Sequence, residues 1–344
     1  MTTRFATEQE IAKWDKHILA NPDDGNIFAS YEYAQQKETG GYKAQFLFVN
    51  DIAVMVHEKN VFPLGKLWYL PKGPAVTKAN DLFTILRALQ PFATTHDVFA
   101  VRIESELPRS IQPTLARHGL VKVRPIIPNA STITLSLDSN LDTILGNLPQ
   151  KGRHAIRRAE RDGVTIKLVK ATNENCLTMF NLLSDTAEGQ FGIRDYDYYR
   201  TFWQRFETAG LGQLFFALYD DKIAAGAFAM VFGTKSTYLV GASERKRRVY
   251  GASHLLQWYV IKWAKSKGSL IHDFCGSPPS NEINNVDHPH HGVGLFKTAF
   301  NKTITDYIGC YDLVIRPAQY KIWTVLGERI AQRLHYYKHH DSYY

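Results

Sequence analysis

Residues Ile271–Val314 read IHDFCGSPPSNEINNVDHPHHGVGLFKTAFNKTITDYIGCYDLV. The stretch opens with an apolar run, Leu270 to Cys275, that reads as a buried strand. A long Gly/Pro/Asn-rich loop follows, then the short segment GLFKTAFN, then a second strand. A long loop without structure of its own inside a compact domain usually has a job or is disordered. This one returns at once to a lysine framed by apolar residues, Leu295 and Phe296 before Lys297 and Phe300 after it. A cation whose neighbours are tied into a core is held in place, so Lys297 is expected to be aimed at a ligand; the plainer reading is a surface lysine on an amphipathic turn.

Upstream, the same strand, helix and strand order occurs twice. In the first half, Thr7 to Leu19 has helical spacing (Ile11, Trp14, Ile18). Phe46 to Glu58 reads as a hairpin around Asn50-Asp51. Lys66 to Leu70 is a strand stopped by Pro71-Lys72-Gly73-Pro74, a helix covers Asp81 to Gln90, and Val98 to Ile103 is again a strand. STITLSL, from Ser131, alternates as a strand does. In the second half, a helix at Asp142 to Arg161 precedes a strand at Val164 to Leu168 and helices at Glu174 to Ala187 and Tyr198 to Ala209. Strands at Gln213 to Tyr219, Ile223 to Phe232 and Ser236 to Gly241 lead into a helix, Ala252 to Lys267. The order predicts an α/β (α+β) protein of two related units with mixed sheets, the first over 1–146 and the second over 147–315. Residues 316–344 are expected to return to the first unit, because Ile322, Leu326, Ile330 and Leu334 recur every four residues in an amphipathic helix over Pro317 to His335.

At 344 residues the chain has room for two domains of roughly 150 residues. It carries 41 Lys+Arg against 33 Asp+Glu, a net charge of +8, which favours polyanionic partners such as nucleic acid, a nucleotide diphosphate or an anionic membrane face. Charges interrupt the N-terminal segment where a signal peptide needs an apolar core, and no apolar run reaches the roughly 18 residues of a spanning helix. Three widely spaced cysteines (Cys176, Cys275, Cys310) suit neither a disulfide framework nor a four-ligand zinc site. A cytoplasmic location is expected.

Two basic clusters stand out. Arg153, Arg157 and Arg161 form one helical stripe beside His154 and Arg158; the repulsion of like charges four apart would be relieved by an anion, and the bland alternative is a solvated face. Arg245-Lys246-Arg247-Arg248 runs into Gly251 and Ser253 at a helix start, where free backbone N–H groups and the helix dipole favour an anion; plain helix capping is the alternative. The pattern Arg248-x-x-Gly251-x-Ser253 is similar, in degenerate form, to the pyrophosphate loop of GNAT acetyltransferases. His288, His290 and His291 surround Pro289, which rules out the helical i, i+4 geometry of a zinc pair. No nucleophile elbow, Walker loop or His-Glu-x-x-His stretch occurs. Catalysis by positioning and electrostatics is therefore expected.

Seven short motifs in this order resemble the FemABX family of aminoacyl-tRNA-dependent peptidoglycan-bridge transferases, especially the short FemX type. They are Tyr69-Leu-Pro-Lys-Gly-Pro74, Leu148-Pro-Gln-Lys-Gly-Arg153, Arg161-Asp-Gly-Val164, Gly192-Ile-Arg-Asp-Tyr-Asp-Tyr198, Asp273-Phe-Cys-Gly276, Gly294-Leu-Phe-Lys-Thr-Ala-Phe300 and Tyr307-Ile-Gly-Cys-Tyr-Asp312. The resemblance spans nearly the whole chain. It implies two GNAT-like domains with twisted mixed sheets flanked by helices, the first completed by the C-terminal helix. The coiled-coil arm of longer members has no counterpart here.

The resemblance also implies a reaction: transfer of an amino acid from aminoacyl-tRNA to a stem-peptide amine of a peptidoglycan precursor, UDP-MurNAc-pentapeptide or its lipid-linked form, by a monomer with no metal and no cofactor. Lys37 and Arg194 match cations that bind the nucleotide diphosphate, Tyr198 matches an aromatic lining that pocket, and Lys72 stands in the first shared motif as a further precursor-binding residue. Phe296 and Lys297 match the pair that receives the terminal tRNA nucleotides, with Arg153, Arg157 and Arg248 as further tRNA contacts. Lys297 would also be catalytic, stabilising the oxyanion. Glu104 matches a carboxylate that could act as general base, or equally a hydrogen-bonding wall residue. Peripheral contact with the inner membrane surface is a further expectation. Two alternatives remain: an acyl-CoA-dependent GNAT-type N-acyltransferase using the Arg248 to Ser253 loop, and a non-catalytic protein that binds tRNA or a membrane surface.

Overall fold

The computed structural model describes residues 2–127, 130–187, 192–245, 249–339 and 343–344. Two compact units divide the chain: Met1–Ala130 with Asp306–Tyr344, and Ser131–Thr305. The boundaries differ from the expected 146/147 and 315/316, and strand pairing is the reason. Thr134–Ser136 pairs antiparallel with Ile271–Asp273 and so joins the second unit. Cys310–Val314 pairs with Val98–Ile103 and Val121–Val123 and so joins the first.

The first unit is built on a seven-stranded sheet in the spatial order Thr3–Phe5, Lys43–Val49, Ile52–Val61, Gly65–Leu70, Val98–Ile103, Cys310–Val314, Val121–Val123. The expected hairpin turns at Asn50, in the left-handed region at φ 52°, where Asn is among the residues that adopt it most readily. Among the described residues of this sheet only Gly65–Leu70 and Val98–Ile103 run parallel, joined by the helix Ala79–Thr95. That helix buries Leu82, Leu86 and Leu89 against Leu47, Val54, Trp68 and Val101.

The second unit repeats the device. Its sheet runs Thr134–Ser136, Ile271–Asp273, Lys235–Ser243, Lys222–Phe232, Gly212–Tyr219, Thr165–Val169. Again one pair is parallel, Lys235–Ser243 with Ile271–Asp273, and again a helix, Ala252–Ser266, makes the crossover. Leu255, Leu256 and Ile261 of that helix pack on Phe215, Ala227 and Ala229.

Two long predicted helices are interrupted. The segment 142–161 splits into Leu141–Asn147 and Gln150–Arg161, because Leu148 precedes Pro149 and takes the extended conformation (ψ 150°) that a proline imposes on its predecessor. The C-terminal segment runs Pro317–Ile322, a π-helical turn Trp323–Gly327, and Glu328–His339. It packs on the first sheet, but not through the expected stripe. Tyr320 and Trp323 are buried against Val61, Leu67 and Phe99, whereas Ile322, Leu326, Ile330 and Leu334 stay exposed. The two aromatic side chains, each with a large apolar surface to bury, face the sheet instead.

Candidate active site

The strand Ile271–Asp273 ends in a built turn. The Asp273 carboxylate accepts from the Thr132 hydroxyl and from the Cys275 N–H (2.8 Å), which holds Cys275 at φ 53°, followed by Gly276 at φ 75°. Both carbonyls then face Lys297, the last residue of the helix His291–Lys297. Its ammonium donates to Cys275 O and, at 2.6 Å, to Gly276 O. Burial lowers the Lys297 pKa to about 8, with Cys275 and Asp273 opposing the shift. Two of the three ammonium hydrogens engage main-chain carbonyls, and one is left for a ligand. The amphipathic-turn alternative is thereby ruled out: Lys297 is 6% exposed.

The same turn is tied down from two more sides. A Cβ on Gly294 would stand 2.7 Å from Ile283 Cδ1, so the short helix is pressed onto the long loop. A Cβ on Gly152 would stand 1.9 Å from Ala299 O, so the helix Gln150–Arg161 begins against the turn after Lys297. Phe296 is half-buried between His254 and Phe300, with ring centroids at 5.0 and 5.6 Å.

A buried Ser–His pair lies beside this turn. It is invisible to sequence reading, because the partners are 36 residues apart and no local motif joins them. Ser236 Oγ stands 2.8 Å from His272 Nδ1, and Gln257 Nε2 stands 2.7 Å from His272 Nε2. The Gln257 amide donates, so Nε2 accepts and the imidazole proton sits on Nδ1, pointing at Ser236. The serine hydroxyl in turn donates to Ile271 O. A histidine that donates to a serine cannot take its proton, so the pair is architectural. Burial, and then the Lys297 charge, hold the His272 pKa down at about 3.

The basic stripe divides. Arg153 donates to Gly146 O at 3.0 Å and to Leu148 O, closing the end of the preceding helix, so its guanidinium has a role in the fold besides the one expected at tRNA. Arg157 and Arg161 are exposed. Arg158 pairs with Asp162 at 3.2 Å and lies 4.9 Å over the Tyr250 ring. Arg248 lies outside the described residues. Gly251 sits at φ 73°, and a Cβ there would stand 2.3 Å from Ala155 O, so close packing of two helices accounts for this glycine. Arg194 and Tyr198 do come together, the guanidinium 4.6 Å from the ring, where Asp195 caps the helix Tyr196–Thr208.

In the first unit, Glu104 follows the strand Val98–Ile103 and is buried. Its carboxylate accepts from the Tyr69 hydroxyl, from Ile126 N–H at 2.8 Å and from Ile127 N–H at 3.4 Å, with the Cys310 thiol as a further donor. A carboxylate offers about four acceptor sites. Donors from the protein occupy them, an arrangement that suits a hydrogen-bonding wall residue better than a general base. Lys72, at φ 52°, lines a small cavity with Glu104, Ser105, Ile127 and Tyr307 and pairs with Glu106 at 3.4 Å.

Lys37 lies near the end of the helix Tyr31–Thr39, is 7% exposed, and has its ammonium 5.3 Å from the Tyr42 ring and 6.0 Å from the Tyr33 ring. Lys59 approaches the same Tyr42 ring at 4.5 Å, a second cation that no sequence motif marks. His57 lies against Tyr33, Tyr42 and Tyr69; burial, then the Lys37 charge, lower its pKa to about 3. This aromatic and cationic cluster forms because His57 and Tyr69 are register partners on adjacent strands.

Comparison with known proteins agrees with the repeated architecture. Residues 212–328 match the model of the FemAB family. The lipid II:glycine glycyltransferase of Staphylococcus aureus (strain MRSA252) is 21% identical over 406 aligned positions, covering 92% of this chain and 94% of that protein. The crystal structure of FemX superimposes with a TM-score of 0.79 at 19% identity, over 95% of this chain and 100% of that one. The structure of L-PGS from Bacillus licheniformis shares the fold at a TM-score of 0.53 and 13% identity, over 95% and 97%. Among the described residues, no helix is long and apolar enough to cross a membrane.

Proposed function

We propose that the chain, whose residues 212–328 match the FemAB family model, is an aminoacyltransferase that builds peptidoglycan bridges, moving an amino acid from aminoacyl-tRNA to the stem-peptide amine of UDP-MurNAc-pentapeptide or its lipid-linked form. The observation that supports it most directly is Lys297, a buried ammonium fixed by Cys275 O and Gly276 O with one donor to spare. In the reaction the acceptor amine attacks the ester carbonyl carbon. A C–N bond forms, the C–O bond to the ribose breaks, and the proton lost by the amine balances the one gained by the ribose oxygen. Negative charge grows on the carbonyl oxygen in between. A pre-placed cation in a poorly solvated site stabilises that charge without having to reorganise. Glu104 takes no proton in this scheme; it holds Tyr69 and the Ile126-Ile127 backbone in place.

Lys37 and Arg194 are the proposed diphosphate ligands, since a pyrophosphate needs fixed cations and arginine offers a two-pronged donor. Stacking on Tyr198 limits the freedom of Arg194. Phe296 and the exposed Arg157 are the proposed tRNA contacts. The acyl-CoA alternative is weakened, because packing against Ala155 explains Gly251 without an anion.

The test offers labelled aminoacyl-tRNA and labelled acetyl-CoA separately to the protein with UDP-MurNAc-pentapeptide or with its lipid-linked form. Label reaching a precursor from tRNA alone is the expected result. Label arriving only from acetyl-CoA would replace the proposal by the acyl-CoA reading.

A further inference from the structure

Within Pro317–His339, the residues that hold the first unit include Tyr320, Trp323, Ala331 and Glu328, the last paired to Arg102. Away from that contact runs a bare aliphatic row: Ile322, Leu326, Ile330 and Leu334 are 56, 61, 50 and 65% exposed, and Val325 beside them is 57% exposed. On a regular α-helix a four-residue spacing drifts by about 40° per step, so such a row would wind out of line. The π-helical turn Trp323–Gly327 takes more residues per turn and offsets the drift.

Lys321, Arg329, Arg333 and Lys338 are exposed along the same segment, whose one acidic residue, Glu328, is turned inward. Next to it, the turn between Ile52–Val61 and Gly65–Leu70 presents Phe62 at 92% exposure. Its neighbour Leu64 packs with the Trp323 cluster, and a Cβ on Gly327 would lie 3.6 Å from Leu64 Cδ1. The aromatic tip and the aliphatic row therefore belong to one patch of the first unit.

We propose that this patch docks the protein on an anionic lipid bilayer, the helix lying in the headgroup plane with its aliphatic row in the acyl boundary and Phe62 as an aromatic anchor. Basic side chains beside an apolar face fit both parts of such a surface: the ammonium and guanidinium groups reach anionic headgroups while their stems stay apolar. A second copy of the chain is a poorer occupant, since a two-fold pairing of the row brings Arg329 and Arg333 up to like charges. RNA would meet the cations and leave five aliphatic side chains in water. The proposal does not rest on the transfer reaction.

The experiment is flotation of the full-length protein with vesicles of phosphatidylcholine alone or mixed with phosphatidylglycerol, without donor or acceptor. Partitioning onto the phosphatidylglycerol vesicles is expected. Leu326→Glu/Ile330→Glu and Arg329→Glu/Arg333→Glu are each expected to lower it about tenfold or more, with melting temperature unchanged because all four side chains are exposed. No partitioning by the parent protein, or partitioning that survives both double variants, overturns the proposal. So does a dimer in sedimentation velocity that Leu326→Glu/Ile330→Glu dissociates while vesicle binding is absent.

Discussion

Arg102 and Asp312 meet as a two-pronged ion pair across 210 residues of sequence, Nε to Oδ1 at 2.8 Å and Nη2 to Oδ2 at 3.0 Å. The side chains are 2% and 0% exposed. The pair joins two neighbouring strands of the first sheet, and the same guanidinium reaches Glu328 at 2.9 Å on the C-terminal helix. Removing one partner leaves a buried charge uncompensated, which costs about 3–5 kcal/mol. Asp312→Ala is expected to lose that much in urea unfolding, and Arg102→Met/Asp312→Leu to recover at least half of it. A double variant as unstable as the single one would show that the pair itself, not the orphaned charge, sets the stability.

Lys297 makes activity and stability move in opposite directions with pH. Its folded-state pKa is lowered to about 8, against 10.5 for a free lysine. The charged form supports transfer, so turnover is expected to fall as pH rises through about 8. Between about 8 and 10.5 the unfolded chain binds the proton that the folded chain has released, so this group's contribution makes stability rise with pH there. Lys297→Met is expected to lower turnover about a hundredfold or more, comparable to losing one oxyanion donor, and to flatten both dependences. Turnover that is unchanged in Lys297→Met removes this residue from the chemistry.

Gly146 and Gly152, in consecutive helices, predict opposite signs. An alanine methyl at Gly146 would meet no heavy atom within 4 Å, and the residue sits in the helix Leu141–Asn147 at ordinary φ. Gly146→Ala is expected to stabilise by about 0.4–1 kcal/mol through the unfolded chain. At Gly152 a Cβ would stand 1.9 Å from Ala299 O, and backbone must move. Gly152→Ala is expected to cost about 1–3 kcal/mol and to lower turnover with it, since the turn after Lys297 shifts. Thermal melts of the two variants with parallel transfer assays settle the pair.

Arg153 and Arg157 separate fold from binding. Arg153→Ala removes donors to Gly146 O and Leu148 O and is expected to lower stability by about 1 kcal/mol or more. Arg157→Glu touches an exposed side chain and is expected to leave the melt unchanged while weakening tRNA binding and flattening its salt dependence. Filter binding across a salt series reads the difference; equal tRNA affinity in Arg157→Glu and the parent protein excludes that contact.

Much of the architecture is legible in the sequence because it rests on short-range rules. The Asn50-Asp51 hairpin, the strand Val98–Ile103 and the crossover helices follow from turn chemistry and apolar periodicity, which act within a few residues. The break at Leu148-Pro149 is equally local, but the matching periodicity of the flanking helices hides it. The C-terminal helix is legible as a helix, but not the face it buries. Four aliphatic residues in a row predict a docking stripe, yet a π-helical turn and two aromatic residues turn a different side to the sheet.

The chain by itself determined the repeated order of strands and helices, the basic excess, and which side chains are candidates for chemistry, since residue type and spacing carry those directly. Tertiary structure alone decided how each candidate is held. Lys297 is a buried cation because Asp273 bends Cys275 and Gly276 so that their carbonyls face it, Glu104 is fixed because four donors reach it, and Arg153 closes a helix end because a proline starts its own helix beside the end of another. Those outcomes depend on contacts between residues distant in sequence or on backbone direction at a turn, and no pattern of neighbouring letters encodes where a carbonyl points.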